Sequence, residues 1–381
     1  MKFIPYGRQH ISYSDINAVK KALKNNLITN GKAVSNFEKK VSNYLKCKYV
    51  STCNSGTSAL FLALLSINVK KNDKIVMPSI NFISSYNICK TLGAKVYLAD
   101  VDEHTGQMTP TTLDQCIKKY KLKKVKAIIP MYNGGLPANA ENYLYFKKRL
   151  KSYIIEDACH ALGSSYLYKK KFFKIGSCRH SDISTFSLHP LKTITTGEGG
   201  LVTTNDLKLD KKIKMLRSLG IKRNSNIHWN YDVVIKGFNF RLNDFQSALG
   251  ISQLNQIEKF LKKRKKIANF YDKYLSKITN IKTQKRSQIY KSANHLYIIN
   301  FKNFNKYKKN KFIKYMKKNG VTVQFHYIPI YKFSIFKGNL KLKNSEKYYN
   351  TAISLPIFYD LKINEQKYIL NLIKRFFKVY K

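Results

Sequence analysis

The sequence predicts an α/β protein: a doubly wound, largely parallel β-sheet followed by a smaller α+β region. Two observations predict this fold. Up to residue 204, short apolar, β-rich segments alternate with helical patterns at the spacing of strand–helix–strand units. From about residue 243 this alternation gives way to apolar residues at helical spacing, which is typical of a long helix.

The elements of the larger region follow one another at short intervals. Residues 14–46 predict helical pieces, because Ile16, Val19 and Leu23 fall on one face. A buried helix is predicted at 58–65, soon after the first strand. Strands are predicted at 48–52, 74–77, 94–98, 125–130, 152–156, 182–186 and 200–204.

The smaller region begins with a helix that we expect to connect two domains. Its apolar positions run from Phe245 to Leu261 and on towards Tyr274, and the basic residues 262–266 are interpreted as its solvated face. We expect a large domain over residues 1–250 and a small domain over 251–381, with the connecting helix from about 243. In the small domain, strands are predicted near 295–301 and 321–327 and helices near 309–319 and 364–379.

The composition bounds the class of protein. Hydrophobic residues make up 44% of the 381 residues, so a folded core is expected and global disorder is not. No apolar run is as long as a membrane span, and the start of the chain lacks the apolar segment of a signal peptide, so we expect a cytoplasmic protein without a membrane partner. The six cysteines form no C-x-x-C pair and no zinc spacing, which predicts reduced, mostly buried thiols and no metal site.

The formal net charge of +50 permits two interpretations. A basic surface could bind nucleic acid or an anionic membrane by electrostatics alone. However, the excess is almost entirely lysine spread from end to end, whereas nucleic-acid binders concentrate Arg and Lys on one element. We favour a drift in composition and expect no specific nucleic-acid partner. The field would still draw anionic small molecules towards a cleft.

Lys192 is the most informative residue of the chain. It stands between a strand-like segment that ends near Ser187 and a glycine cluster at 197–200. The loops that follow strands are where α/β folds present reactive groups. A lysine at such a position can serve as a Schiff-base amine if its surroundings lower its pKa.

Signals for binding a phosphate or another anion lie in three places. Gly56 and Thr57 stand between a strand and a helix, where backbone N–H groups can hold a phosphate, although an ordinary helix cap has the same pattern. Ser187 adds a hydroxyl at a strand end. The segment 237–241 supplies an Asn and an Arg suited to contact with an anion.

A ring-binding set is predicted from three residues. Asp157 ends a buried strand and could bond a protonated ring nitrogen, or could cap the segment that follows. His160 could reach a phenolic oxygen of the same ring, and Phe82 could stack on it, although each residue type alone is more often part of a packed core. Together with Lys192 and the phosphate-binding hydroxyls, these residues make up the inventory of a pyridoxal 5'-phosphate (PLP) site.

Several segments, in order and over nearly the whole chain, resemble the DegT/DnrJ/EryC1/StrS family of sugar aminotransferases, which has fold type I of the PLP-dependent transferases. A second set, including Asp157-Ala-Cys-His160 and Phe325-His-Tyr-Ile-Pro329, is similar to the branch of the family that serves pseudaminic acid synthesis; many other relatives carry Gln at the position of His160. The segments of the first set are Pro5-Tyr-Gly-Arg-Gln9, Asn54-Ser-Gly-Thr-Ser-Ala-Leu60, Glu156-Asp157, Lys192 with Thr-Thr-Gly-Glu-Gly-Gly200, and Gly237-Phe-Asn-Phe-Arg-Leu-Asn-Asp244.

The resemblance implies transfer of the amino group of glutamate to C4 of a UDP-4-keto-6-deoxy-N-acetylhexosamine, with PLP as cofactor and in a homodimer with shared active sites. Lys192 would also act as general acid–base, which requires a pKa well below the usual ~10.4. The roles implied are Lys192 as the Schiff-base lysine, Asp157 on the pyridine nitrogen, His160 near the ring hydroxyl, Phe82 stacked on the ring, Gly56, Thr57 and Ser187 on the phosphate, Asn239 on the phosphate of the neighbouring subunit, and His326 and Tyr327 at the sugar nucleotide.

Two loops depart from the family pattern. The usual short Tyr-Gly-x-Pro loop is replaced by a longer segment at 131–137, and the Gly expected in the hairpin after Gly163 is replaced within Tyr168-Lys-Lys-Lys171, which predicts a looser turn. Two alternative functions stay open. One is a different nucleotide-sugar aminotransferase, for example one acting on GDP-4-keto-6-deoxymannose. The other is a non-catalytic sugar-nucleotide sensor. The presence of both Lys192 and Asp157 argues against a sensor.

Overall fold

The structure is a computed structural model that describes residues 3–223, 227, 229–284, 287–302 and 304–379. Short 3₁₀ helices cover Asn133–Gly135 and Ile330–Lys332. The α-helices are α1 (Tyr13–Leu23), α2 (Lys32–Leu45), α3 (Gly56–Ser66), α4 (Ser84–Thr91), α5 (Pro110–Lys119), α6 (Tyr143–Leu150), α7 (Leu207–Leu216), α8 (Asp244–Asn255), α9 (Ile257–Leu275), α10 (Lys306–Lys318), α11 (Lys343–Thr351) and α12 (Ile363–Val379). The strands are β1 (Tyr49–Cys53), β2 (Lys74–Pro78), β3 (Lys95–Ala99), β4 (Ala127–Ile128), β5 (Tyr153–Asp157), β6 (Ser165–Tyr168), β7 (Lys171–Lys174), β8 (Ile183–Ser187), β9 (Gly200–Thr204), β10 (Ile221–Arg223), β11 (Tyr231–Val233), β12 (Ile281–Thr283), β13 (Tyr290–Lys291), β14 (Tyr297–Phe301) and β15 (Ala352–Leu355).

A mixed, mostly parallel sheet of seven strands forms the centre of the fold, in the order β1-β9-β8-β5-β4-β2-β3. β9 runs antiparallel to its neighbours β1 and β8, and the other neighbouring pairs are parallel. Because side chains alternate along a strand, Ile75 and Met77 of β2 pack towards α3, α4 and α7, whereas Val76 packs towards α5 and α6. The predicted α/β class with a sheet covered on both faces is confirmed.

The strand directions bring the predicted site residues to one edge of this sheet. β1, β2, β5 and β8 are parallel, so their carboxyl ends meet at the same edge. Gly56 follows β1, Phe82 follows β2, Asp157 ends β5 and Ser187 ends β8. Lys192 lies in the loop that joins β8 to β9.

The C-terminal part is built on the three-stranded antiparallel sheet β12-β14-β15. Its core includes buried residues of α9, α10 and α12. Ile4, near the start of the chain, belongs to the same core and pairs with Val321. The division into domains at residue 250 stays a prediction.

The expected connecting helix is interrupted. It runs as α8 and α9, separated at Gln256, whose backbone has ψ of 0°. The side-chain amide of Gln256 donates to Asp15 in α1 at 3.2 Å, which ties this break to the N-terminal helix. The interpretation of 262–266 as a solvated face is wrong for Arg264, which is buried because it falls on the face of α9 that carries Phe260 and Ile267.

Two other local predictions were wrong. The alternating apolar residues near 321–327 do not form a strand, because backbone pairing there is limited to single bridges of Val321 and Gln324. The turn between β6 and β7 is not loose: pairing continues to Tyr168 and Lys171. Lys169 and Lys170 close it with φ of 46° and 65°, the left-handed values that a two-residue hairpin turn requires.

The structure also bears on the predictions for the cysteines and for membrane-spanning segments. All six cysteines are free; five are buried and Cys159 is partly buried, as the sequence predicts. Among the helices of the described residues, none combines the length and the apolar composition needed to span a bilayer.

Candidate active site

A cavity of about 550 Å³ opens at the carboxyl edge of the central sheet. Ligands of α/β sheets commonly bind outside the carboxyl ends of the parallel strands. Asn239 lies elsewhere, but the other nine residues that the sequence predicts for the site all line this cavity: Gly56, Thr57, Phe82, Asp157, His160, Ser187, Lys192, His326 and Tyr327.

The N-terminus of α3 forms one wall of the cavity. The Ser55 hydroxyl caps this helix by accepting the N–H of Ser58 at 3.1 Å. The first N–H groups of a helix have no partner within it and carry partial positive charge. A Cβ added at Gly56 would lie 2.7 Å from the Ser187 Cβ, so the helix start and the end of β8 are in close contact. With the hydroxyl of Thr57, they form a cradle that suits a phosphate.

Asp157 is buried, and both oxygens of its carboxylate are held by hydrogen bonds. Oδ2 accepts the Ser85 hydroxyl at 3.1 Å and the Asn81 side-chain amide at 3.3 Å. Oδ1 accepts the backbone N–H of Cys159 at 3.3 Å. Such bonds stabilise a buried carboxylate in its charged form. Asp157 therefore presents a fixed acidic group to the cavity.

Lys192 is the amine of the site. Its backbone N–H donates to the carbonyl of His189 at 2.9 Å, which holds the loop in a turn. Burial lowers the pKa of Lys192 from its usual value, against the opposing effects of Cys159, Asp157 and Glu198. A lower pKa increases the fraction of neutral, nucleophilic amine near neutral pH. The direction of this pKa shift agrees with the expectation from the sequence.

His160 takes part in a hydrogen-bond relay. The backbone N–H of Gly134 donates to its Nδ1 at 3.3 Å, and its Nε2 lies 2.9 Å from the Tyr327 hydroxyl. Burial, reinforced by the charge of Lys192, lowers the pKa of His160 well below its usual range, so the ring is neutral. A neutral ring that accepts at Nδ1 carries its proton on Nε2. His160 therefore donates to Tyr327, and the Tyr327 proton points elsewhere.

The donor to His160 belongs to the longer loop that departs from the family pattern. Gly134 and Gly135 have φ of 69° and 87°, which glycine adopts without steric cost. A Cβ added at Gly135 would lie 2.6 Å from the carbonyl oxygen of His160. The two glycines therefore allow this loop to approach the histidine closely.

Two further histidines lie near His160. The ring centroid of His295 lies 4.3 Å from that of His160, and the centroid of His326 lies 6.2 Å away. Burial lowers the pKa of His326 to about 3, with a further contribution from the charge of Lys192. Burial also lowers the pKa of His295 well below its usual range. In the described part of the chain, no group of three or more His, Cys, Asp or Glu side chains is arranged to hold a metal ion.

Phe82 provides an aromatic wall. It is 54% exposed despite its apolar ring, because it borders the cavity. Its ring centroid lies 5.8 Å from that of Tyr327. An exposed aromatic face can receive a planar ring by stacking. The position agrees with the predicted role, which stays a prediction.

Asn239 is exposed and does not line the cavity of its own chain. Its backbone pairs with Ser218, near the short β10–β11 ribbon. Tyr231 and Val233 of that ribbon expose 54% and 56% of their surfaces. A role of Asn239 in the site of a neighbouring subunit therefore remains a prediction.

Sequence reasoning missed several residues of the site. Asn81 and Ser85 hold Asp157 but gave no signal beyond their position after a strand. Tyr6 and His295 line the cavity. Tyr6 lies in the segment Pro5–Gln9, which resembles the family, but the resemblance did not indicate that it reaches the site.

The comparisons with known proteins agree with this geometry. The model of the DegT/DnrJ/EryC1/StrS aminotransferase family matches residues 9–374. The chain is 36% identical over 370 residues to the UDP-4-amino-4,6-dideoxy-N-acetyl-beta-L-altrosamine transaminase of Campylobacter jejuni. The aligned region covers 96% of this chain and 95% of that protein.

Solved structures give the same answer. The fold matches Helicobacter pylori PseC, an aminotransferase involved in the biosynthesis of pseudoaminic acid, with a TM-score of 0.91 at 30% identity over 100% of both chains. It also matches the PLP-form of Spr1654 from Streptococcus pneumoniae, with a TM-score of 0.89 at 25% identity over 100% of both chains. The chain therefore belongs to the DegT/DnrJ/EryC1/StrS aminotransferase family.

Proposed function

We propose that this protein is a PLP-dependent aminotransferase that transfers the amino group of glutamate to C4 of a UDP-4-keto-6-deoxy-N-acetylhexosamine. One observation carries the proposal: Lys192, an amine of lowered pKa, shares a single cavity with the buried acid Asp157 and the N-terminus of α3. Amine, acid and phosphate cradle are the groups that a PLP site requires. The 36% identity to the Campylobacter jejuni transaminase supports the choice of sugar.

The residues of the cavity fit PLP. The cradle depends on glycine at position 56, because a Cβ there would collide with Ser187. Gly56, Thr57 and Ser187 would hold the phosphate. Phe82 would cover one face of the ring, and Asp157 would bond the ring nitrogen.

The chain's own groups determine how protons move. PLP, when bound, would supply a ring that accepts electron density. Asp157 would keep a proton on the ring nitrogen, because Ser85 and Asn81 stabilise its carboxylate as an anion. The Nζ atom of Lys192 would take and return a proton at the reacting carbon, since burial favours its neutral form.

The histidine and tyrosine side would hold the substrate. Burial, with a further contribution from Asp157, raises the pKa of Tyr327 well above its usual value, so its hydroxyl stays a neutral donor. We assign His326 and Tyr327 to contact with the sugar nucleotide, because both line the cavity. The net charge of +50 would draw a diphosphate towards the protein.

We further propose that the active unit is a homodimer with shared sites, in the cytoplasm. The exposed Asn239 would contact the phosphate bound by the neighbouring subunit. The exposed apolar side chains of the β10–β11 ribbon support burial of this region against a second copy.

The experiment is a substrate panel. Purified protein with PLP and glutamate is offered UDP- and GDP-linked 4-keto sugars, and products are followed by mass spectrometry. We expect an amino sugar from the UDP-4-keto-6-deoxy-N-acetylhexosamine. Lys192→Ala should form none, whereas Lys266→Ala, an exposed lysine of α9, should match the wild type.

The other outcomes identify the alternatives. Amination of the GDP-linked sugar alone would replace the proposed substrate but keep the reaction. Tight binding of a sugar nucleotide without amination of any panel member would indicate a sensor and overturn the proposal.

A further inference from the structure

Arg264 is a buried cation behind the active site. It is 4% exposed, whereas its neighbours Lys262, Lys265 and Lys266 on α9 are exposed. Burial lowers its pKa to about 10, so it stays charged at neutral pH. Among the described residues, no carboxylate forms a salt bridge with it. A buried charge is costly unless other polar groups compensate it, and at Arg264 the compensating groups are backbone carbonyls.

Three carbonyl oxygens lie within hydrogen-bond distance of one nitrogen of its guanidinium. Nη1 lies 3.0 Å from the oxygen of Ile357, 3.2 Å from that of His295 and 3.3 Å from that of Asn294. Two of these belong to the segment that leads into β14, and the third follows β15. Arg264 therefore joins the connecting helix to two segments of the C-terminal part. It also borders, with Lys192, a small cavity of about 10 Å³.

The segment held by Arg264 carries a wall of the active site. His295 is buried, lines the active-site cavity, and has its ring centroid 4.3 Å from that of His160. Its buried Nδ1 has no hydrogen-bond partner among the described residues, so no bond at that atom fixes the ring. The position of the ring is therefore set by its packing against His160 and by its backbone. On the other side of that backbone, the N–H of Leu296 donates to Gly134 at 3.3 Å.

Gly134 links this segment to the chemistry of the site. Its N–H donates to Nδ1 of His160, and its carbonyl accepts from Leu296. The contacts run from Arg264 to His295, and from there to His160, whose Nε2 reaches Tyr327. A shift of the segment at 294–296 would therefore move the ring against which His160 rests and the loop that sets its tautomer.

We propose that Arg264 is a positioning residue of the active site, which holds His295 against His160 through the carbonyl groups of Asn294, His295 and Ile357. This inference rests on the proposed function and deepens it. Arg264 does not line the active-site cavity, so it would act through His295. A small misplacement of catalytic groups can lower a rate by about 10²-fold, so the effect is measurable.

The test compares Arg264→Met and Arg264→Lys with Lys266→Met, a control at an exposed position of the same helix. The first readout is NMR of protein labelled with ¹³C in its histidine rings, with the His160 and His295 signals assigned by single replacement. We expect both signals to move in Arg264→Met and to stay in the control. The charged groups that face His295 are Arg264, Lys192 and, when protonated, the rings of His160 and His326, so spectra are compared at one pH.

The second readout is kinetic, with kcat expressed per cofactor-bearing site. We expect kcat to fall about 10²-fold in Arg264→Met with a smaller change in KM, and partial recovery in Arg264→Lys, which keeps a charged donor. Unmoved histidine signals and an unchanged kcat in a folded Arg264→Met would show that Arg264 only stabilises the fold. If Arg264→Met does not fold, Arg264→Gln, which keeps only a shorter, neutral donor, decides by the same two readouts, and wild-type values in both would overturn the proposal. If no keto sugar is aminated by the wild type, the proposed function fails, but the NMR result still tests the positioning role.

Discussion

Replacement of Gly56 by alanine tests the phosphate cradle directly. The added methyl carbon would lie 2.7 Å from Cβ of Ser187 and 3.2 Å from its Cα. Non-bonded carbon atoms prefer separations of about 3.5–4.0 Å, so the overlap with Cβ is roughly 1 Å. The obstructing atoms belong to the backbone and Cβ of a residue that ends β8. The strain can therefore be relieved only if α3 and β8 move apart.

The magnitude follows from known costs of overpacking. Extra methyl groups in a well-packed site cost about 1–3 kcal/mol. The gain in helix propensity from Gly to Ala is at most about 1 kcal/mol, and it applies to helix interiors, whereas Gly56 is the first residue of α3. The clash therefore outweighs the gain. If the strain appears in cofactor binding, the Kd for PLP rises roughly 10- to 100-fold, since about 1.4 kcal/mol corresponds to a factor of ten.

The assay is titration of the cofactor-free protein with PLP, followed by the visible absorption of the bound form. Gly7→Ala is the matched control, because its added Cβ would meet only Leu191 Cδ2, at 3.7 Å. We expect weaker binding in Gly56→Ala and wild-type binding in Gly7→Ala. Wild-type affinity in Gly56→Ala would refute the assignment of the cradle.

Three further predictions test other parts of the site and fold. Ser85→Ala removes a donor from the Asp157 carboxylate, a bond of about 1.5–3 kcal/mol, and should lower kcat roughly tenfold in steady-state assays; an unchanged kcat would contradict this role. His160→Gln should keep the shape of the kcat/KM profile between about pH 5 and 8, because the His160 ring is neutral there; loss of a limb would show that it titrates. Burial lowers the pKa of Lys309 from 10.5 to about 7, so between these values the unfolded chain binds more protons and wild-type stability rises with pH. Lys309→Met should therefore have a higher free energy of unfolding in urea than the wild type at pH 7, and this free energy should not show the same increase with pH. An equal pH dependence in the two proteins would contradict the lowered pKa of Lys309.

The site residues that lie at the ends of strands could be predicted from the sequence. Gly56, Asp157 and Ser187 stand where a β-rich segment stops, and parallel strands bring such ends to one edge. Lys192 was found for the same reason. These assignments depend on the local strand pattern and on the parallel strand direction that the strand–helix–strand spacing predicts.

Contacts between distant segments could not be predicted from the sequence. The donor to His160 is the backbone of Gly134, and a backbone N–H has no sequence signal. Arg264 stands among four lysines, so the local composition indicates a solvated helix face. Which face of α9 packs against the core is decided only by the fold, and Arg264 falls on that buried face. The break at Gln256 was missed because apolar spacing continues across it, while the side chain of Gln256 makes a tertiary hydrogen bond to Asp15 that has no sequence signal.

The central claim is that Lys192 is the one lysine, in a chain with 71 Lys and Arg residues, that reacts with PLP. Borohydride reduction of the protein after incubation with PLP, followed by proteolysis and peptide mass spectrometry, tests it most directly. We predict one cofactor-derived mass addition, on Lys192, which Lys192→Ala loses. Stable modification of a different lysine, with Lys192 unmodified in the wild type, would contradict the account.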